Sequence, residues 1–177
     1  MNRLNNLWGN IFQNLSLEQQ SVIETLKNVP IFRELKNSEI KEIERIIHHR
    51  YFKPQEVIFW EGEPGVGMYI IQSGEIGIYQ GRGTEQEEAL VSLKEGDFFG
   101  EMALLNEEPR SATAVSLTNS HIIGLFRPDL FGLFERKPEF GVKVLLKLAD
   151  MLAVRLRKTN EELQELKLKF TKKEVLL

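Results

Sequence analysis

The sequence predicts an α+β protein: a β-roll of jelly-roll type, flanked by N-terminal helices and by one long C-terminal helix. Three observations carry that prediction. From Arg50 to Phe126 the chain breaks into short β-rich runs punctuated by glycine. Before and after this stretch, apolar residues recur instead at steps of three and four. Beyond Gly141 no glycine or proline interrupts the last helical pattern.

At 177 residues and 42% apolar content, the chain has room for one domain with a sizeable core plus helical extensions. A net charge of −3, from 23 basic and 26 acidic residues, gives no global basic field for nucleic acid or an anionic membrane. With no cysteine there is no disulfide framework, thiolate metal site or cysteine nucleophile, and the cytoplasm is the simplest assignment. No apolar run approaches the roughly 18 residues of a membrane span. The first thirty residues have no continuous apolar region or small-residue cleavage site, so no signal peptide is expected.

Leu4, Leu7, Trp8, Ile11, Phe12 and Leu15 share one face of a first amphipathic helix. Ser16 and Gln19 have capping-box spacing, which starts a second helix at Leu17 that runs to about Asn28, before Pro30. Residues 1–28 thus read as a helical extension. Trp8 and Phe12 have two uses open to them, covering the protein's own core or meeting a partner, and the first is the ordinary one. Ser38 is an N-cap candidate, with Lys41 where a capping box wants a carboxylate, and predicts a third helix from Ser38 to His48 carrying Ile40, Ile43, Ile46 and Ile47. On that helix the adjacent His48 and His49 point about 100° apart and do not form a chelating pair.

The strands are expected at Tyr51–Lys53, Val57–Trp60, Met68–Gln72, Glu75–Gln80, Ala89–Leu93, Thr113–Leu117 and Ser120–Phe126, within a roll domain spanning residues 29–137. Turn residues separate them, among them Gly62, Pro64-Gly65, Ser73-Gly74, Gly81 to Gly83 and Glu95-Gly96-Asp97. Arg127-Pro128-Asp129 opens a short helix to Phe134, and Pro138 suits the first turn of a last helix reaching about Lys169 within residues 138–177. Leu145, Ala149, Leu152, Leu156, Thr159, Leu163, Leu166 and Phe170 follow a four-three heptad spacing. That seam either folds back on its own domain or forms a parallel coiled coil in a homodimer. The dimer is preferred, because a long lone helix is marginal without an apolar partner. The lysines at 167, 169, 172 and 173 read as a solvated tail.

The chemistry is concentrated in Phe99 to Ala114, FGEMALLNEEPRSATA. Gly100 and Glu101 open an apolar helical turn, Met102 to Leu105, whose first N–H groups favour negative charge. Arg110 follows the stiffening Pro109 and offers a planar fork suited to phosphate, with the Ser111 hydroxyl beside it. The plainer alternative for Arg110 is an exposed salt bridge to Glu107 or Glu108, and for Glu101 a contact with the helix macrodipole.

The pattern Gly100-Glu101-x-Ala103-Leu104, a short loop, then Arg110-Ser111-Ala112-Thr113 resembles the phosphate-binding cassette of cyclic-nucleotide-binding domains. That family includes the bacterial catabolite activator protein and the regulatory subunits of cyclic-nucleotide-dependent kinases. The resemblance extends through Glu61-Gly62-Glu63-Pro64-Gly65, Tyr69 to Ile76 and Gly96-Asp97-Phe98-Phe99, and covers about Val29 to Leu166. It implies that Arg110 binds the exocyclic oxygens of a cyclic phosphate and that Glu101 accepts from the ribose 2′-hydroxyl. Phe99, Gly100, Met102, Ala103, Ser111 and Ala112 would complete the cradle. Aligned with the long helix of catabolite-activator-type proteins, Thr159-Asn160 falls where a Thr-Ser pair reads adenine across a dimer. Thr159 is otherwise a polar residue setting coiled-coil register. Ser111, where guanine-preferring members often carry Thr, favours cAMP, with cGMP as the alternative ligand.

Catalysis finds no motif: His48, His49 and His121 lack a metal-enzyme pattern, no serine sits in a nucleophile elbow, and no metal is expected. The chain stops near Leu177, so no helix-turn-helix and no DNA reading are expected. The expectation is a cyclic-nucleotide receptor that signals to an unidentified downstream protein through its last helix. The alternatives are a ligand-independent dimeric scaffold and a sensor of haem or another effector on the same fold.

Overall fold

A computed structural model describes residues 22–174. The expected first helix on Leu4 to Leu15 and the first turns of the second lie outside the described residues, as do the side chains of Leu166, Phe170, Lys172 and Lys173.

Residues 22–28 are helical (α1) and place Val22 and Leu26 in the core. After a turn carrying the buried Ile31 and Phe32, α2 spans Asn37–Glu44 and buries Ile40 and Ile43. Eight strands follow: β1 (Ile47–Phe52), β2 (Val57–Phe59), β3 (Gly67–Ser73), β4 (Glu75–Gln80), β5 (Glu88–Lys94), β6 (Phe98–Phe99), β7 (Thr113–Ser116) and β8 (Ser120–Phe126). They form two antiparallel sheets, ordered β1-β8-β3-β6 and β2-β7-β4-β5. A 3-10 turn at Glu101–Leu104 separates β6 from β7, and α3 (Arg127–Arg136) and α4 (Pro138–Glu174) close the chain. Among the described residues no helix is long and apolar enough to cross a membrane.

The first sheet is covered on both faces, which explains the nearly unbroken apolar runs of β3 and β8. Strand side chains alternate. Met68 and Ile70 of β3, with Ile123 and Leu125 of β8, point to the helices and pack with Leu26, Phe32, Ile40, Leu130 and Val144. Tyr69 and Ile71, with Ile122, point the other way and meet Ile76, Phe99 and Ala114 between the sheets. Each fully buried Ile or Met contributes roughly 1.5–3 kcal/mol, so the roll and its helical cover stand on the same two strands.

The third helix departs from expectation. It ends at Glu44, not at His48, and the chain turns into β1, whose Ile47 to Phe52 pair with Leu125 to Ser120 of β8. Pairing with β8 outweighs continuation of the helix, although Ile43, Ile46 and Ile47 keep their apolar periodicity. On a strand the two histidines diverge to opposite faces. His48 Nε2 lies 3.1 Å from Asp129 Oδ2 of α3, and His49 Nδ1 lies 2.9 Å from His121 Nε2 of β8. The cap differs too: the Lys36 N–H donates to Glu39 Oε2 at 2.7 Å, so the helix starts one residue before Ser38 and Glu39 supplies the returning carboxylate.

Helix α4 divides its faces along its length. Phe140, Val144 and Leu148 are buried against α1, α2 and α3, with Met151 and Leu152 packed at the edge of that core. Beyond Leu152 the larger apolar side chains among the described residues are bare: Val154, Leu156 and Leu163 are 54%, 61% and 47% exposed. The first half therefore folds back on its own domain, whereas Leu156, Thr159 and Leu163 of the heptad seam face solvent. Three ion pairs fasten this helical layer: Lys137 to Glu42 at 3.0 Å, Lys143 to Glu39 at 2.6 Å and Lys147 to Glu34 at 2.6 Å.

Candidate functional site

Two loops, residues 60–66 and 100–110, lie side by side and build the site. The Arg110 N–H donates to the Glu63 carbonyl and the Gly62 N–H donates to the Arg110 carbonyl, both at 2.8 Å, so Arg110 is clamped on both sides of its backbone. Pro64 and Pro109 bridge the same loops. Gly65 has no room for a side chain, since a Cβ there would meet the Ala103 Cβ at 2.7 Å. Gly100 has a left-handed backbone (φ +73°) and a Cβ on it would stand 2.6 Å from Arg110 Nη1. Only glycine satisfies both conditions.

These constraints enclose a cavity of about 270 Å³ between the 3-10 turn, the loop to β7, β2, β4 and α4. The cassette residues Gly100, Glu101, Met102, Ala103, Arg110, Ser111 and Ala112 all line it. Phe99 stands behind it, stacked on Tyr69 with ring centroids 5.4 Å apart in the core between the sheets. Thr159 and Asn160 are exposed and do not line it. Three contributors from outside the Phe99 to Ala114 stretch were not singled out from sequence: Phe59 of β2, Ile78 of β4 and Arg155 of α4.

Arg110 is only 7% exposed, yet it has no carboxylate ion-pair partner among the described residues. Its Nη1 donates to the Gly100 carbonyl at 3.2 Å, and its Nε is buried without a partner. Burial pushes the guanidinium below its ordinary pKa, countered by the nearby Tyr69, Glu63 and Glu101. A buried cation with an unpartnered donor and no carboxylate beside it is costly, and an anion offsets that cost. The exposed salt bridge to Glu107 or Glu108 does not form; Glu107 pairs with Arg127 instead.

Glu101 is 6% exposed and forms an ion pair with Arg155, whose guanidinium also lies 5.2 Å from the Phe98 ring centroid. The final helix is thus tied to the cassette by charge. Arg155 sits one helical turn before Thr159, so its i, i+4 spacing to the seam residue was a signal available in the sequence. Among the described residues no group of three or more His, Asp or Glu could hold a metal ion.

A two-sheet roll thus carries a cavity lined by a buried guanidinium without a carboxylate partner among the described residues and by a buried carboxylate paired to the last helix. The family model described as "Cyclic nucleotide-binding domain" matches residues 49–137, half of the chain, and the chain belongs to that family. It is 34% identical over 138 residues to a cyclic AMP receptor protein of Thermus thermophilus, covering 78% of this chain and 62% of that one. It is 34% identical over 134 residues to a cAMP-dependent protein kinase regulatory subunit of Hypocrea atroviridis, covering 72% of this chain and 28% of that one. The crystal structure of the Thermus thermophilus catabolite activator protein superimposes with a TM-score of 0.69 at 34% identity, covering 77% of this chain and 62% of that one. The chain therefore spans less than two thirds of the length of these relatives. They are regulatory or receptor proteins, and the β-roll with its long C-terminal helix is the fold they share with this chain.

Proposed function

We propose that this chain is a non-catalytic cAMP receptor that passes the binding event to a partner through α4. The observation that carries the reading is Arg110, a buried guanidinium that lines the cavity and has no carboxylate ion-pair partner among the described residues. A cyclic phosphodiester supplies the anionic partner that the guanidinium lacks at that wall. Charge-assisted hydrogen bonds contribute about 1.5–3 kcal/mol each, and Ser111 and the backbone of the 3-10 turn add neutral donors at the same wall.

Glu101 has the second role. Its carboxylate accepts from the ribose 2′-hydroxyl while Arg155 shares it, so the sugar meets the lid helix through a common charge. Binding then changes the hold of Glu101 on α4, and only this difference in affinity between two helix positions can drive a signal. The names of the relatives, a cyclic AMP receptor and a cAMP-dependent kinase subunit, support cAMP over cGMP as the ligand, as does Ser111.

The bare stretch of α4 supports a homodimer through Leu156, Thr159 and Leu163. In one chain Thr159 and Asn160 do not line the cavity, so a part in base recognition requires delivery from a second subunit. An interaction scaffold that ignores nucleotide is the competing reading, favoured by that same exposed seam.

Titration calorimetry with cAMP and cGMP decides between them. Heat with cAMP at micromolar concentrations is expected. No heat and no competition by either nucleotide at millimolar concentration overturns the receptor reading and leaves the scaffold.

A further inference from the structure

Most buried arginines are held by a carboxylate; Arg110 is held by rings. Its Cζ stands 4.2 Å from the Phe59 ring centroid and 5.8 Å from that of Tyr69. Phe59 is fixed from behind by the same core that orders the sheets. It pairs with Ala114 of β7, and its ring lies 5.9 Å from Tyr69 and 5.8 Å from Phe99. It also lines the cavity, so the ring, the guanidinium and the open space are contiguous.

The chemical difference between a ring and a carboxylate is decisive for a receptor. An acid in this position would occupy the N–H edges of Arg110 and compete with any incoming anion. An aromatic face attracts the cation through its quadrupole without adding a negative charge at its N–H edge, where the Gly100 carbonyl is a neutral acceptor for Nη1. The unpartnered Nε is the residue of that arrangement. The Tyr69 phenol, whose pKa burial pushes up, is a neutral hydrogen-bonding neighbour of Arg110 and brings it no counter-charge.

We propose that Phe59 is a positioning residue for Arg110: its ring face orients the guanidinium and offsets its burial, keeping the fork free of a carboxylate and open to the exocyclic oxygens of a phosphodiester. This rests on the cyclic-nucleotide reading of the cavity, but its geometry is testable without ligand.

The first readout is the Arg110 side-chain Nε–H resonance of the free protein. It is expected to carry an upfield ring-current shift that disappears in Phe59→Leu. The second is affinity for cAMP and for its Sp and Rp phosphorothioates, in which sulfur replaces one or the other exocyclic oxygen. Phe59→Leu should weaken cAMP roughly tenfold and compress the ratio between the two stereoisomers, and Phe59→Tyr should restore both. A pure packing role would weaken both isomers by one factor and leave the ratio intact, which overturns the proposal, as does an unmoved Nε–H resonance. If Leu at this position unfolds the roll, Phe59→pentafluorophenylalanine keeps the shape and reverses the ring quadrupole. Wild-type affinity in that variant overturns the proposal; a roughly tenfold loss supports it. A wild-type protein that binds neither nucleotide overturns the receptor reading and the phosphate role of Phe59, while the resonance still reports whether the ring holds Arg110.

Discussion

Arg155 of α4 and Glu101 of the cassette form an ion pair across the cavity, joining residues 54 positions apart in the chain. Glu101 is buried and Arg155 is half-exposed, so the pair is fixed at the cassette end and free to move at the helix end. Glu101→Leu removes both the charge and the acceptor oxygens from a buried side chain. It should erase the affinity difference between cAMP and 2′-deoxy-cAMP, which the wild type is expected to show. A 2′-deoxy penalty that survives in the variant removes Glu101 from ribose recognition.

Arg155→Ala should release the helix beyond Leu152 without unfolding the roll, because Phe140, Val144 and Leu148 still anchor the first half. Amide hydrogen exchange over residues 152–165 is expected to accelerate at least several-fold while β3 and β8 stay protected. Uniform protection throughout α4 would show that the ion pair does not hold the helix.

For Arg110 the expected signature is a trade between function and stability. Arg110→Leu removes the fork and should weaken cAMP by one to two decades or more. It also removes a buried cation that has no direct carboxylate partner among the described residues, so the melting temperature should hold or rise. A fall of more than about 5 °C would assign Arg110 a structural role.

The homodimer has its own measurement. Leu156 and Leu163 are exposed in the single chain, so Leu156→Glu should leave folding intact and shift light scattering from dimer to monomer. A wild type that remains monomeric at concentrations of about 100 μM overturns dimerisation through this seam.

The clamp between α2 and α4 has a pH dependence of known sign. The hydrogen bond from Lys143, with the Lys36 N–H, holds the Glu39 carboxyl below its ordinary value of 4.5. A folded-state pKa lowered in this way gives stability that is present above that ordinary value and is lost as pH falls through the folded value. Wild type should therefore lose more melting temperature than Glu39→Gln on acidification from about pH 5 to pH 3. Parallel curves would mean that the pair contributes nothing, the common fate of exposed ion pairs.

The cassette was legible because its constraints are local. Gly100 must adopt a left-handed backbone beside Arg110, Gly65 must admit Ala103, and both demands leave a fixed residue type at a fixed position. The double burial of the first sheet was written into the runs Met68–Ile71 and Ile122–Leu125. The end of α2 was not, since Ile46 and Ile47 suit a helix face as well as a strand, and only pairing with β8 decides. Phe59 and Arg155 were missed for a related reason. Each reads alone as an ordinary strand aromatic or helix cation, and gains a role only where β2 and α4 converge on a loop far along the chain.

Helix α4 is buried at Phe140, Val144 and Leu148 and exposed at Val154, Leu156 and Leu163, and under the proposed receptor reading it acts as a lever. Rising about 1.5 Å per residue, it extends roughly 33 Å from Leu152 to Glu174. A tilt of about 10° at the edge of the core would carry its tip about 6 Å. The cavity need only shift one side chain at Arg155, close to the fulcrum, for the far end to sweep a distance that a partner can register.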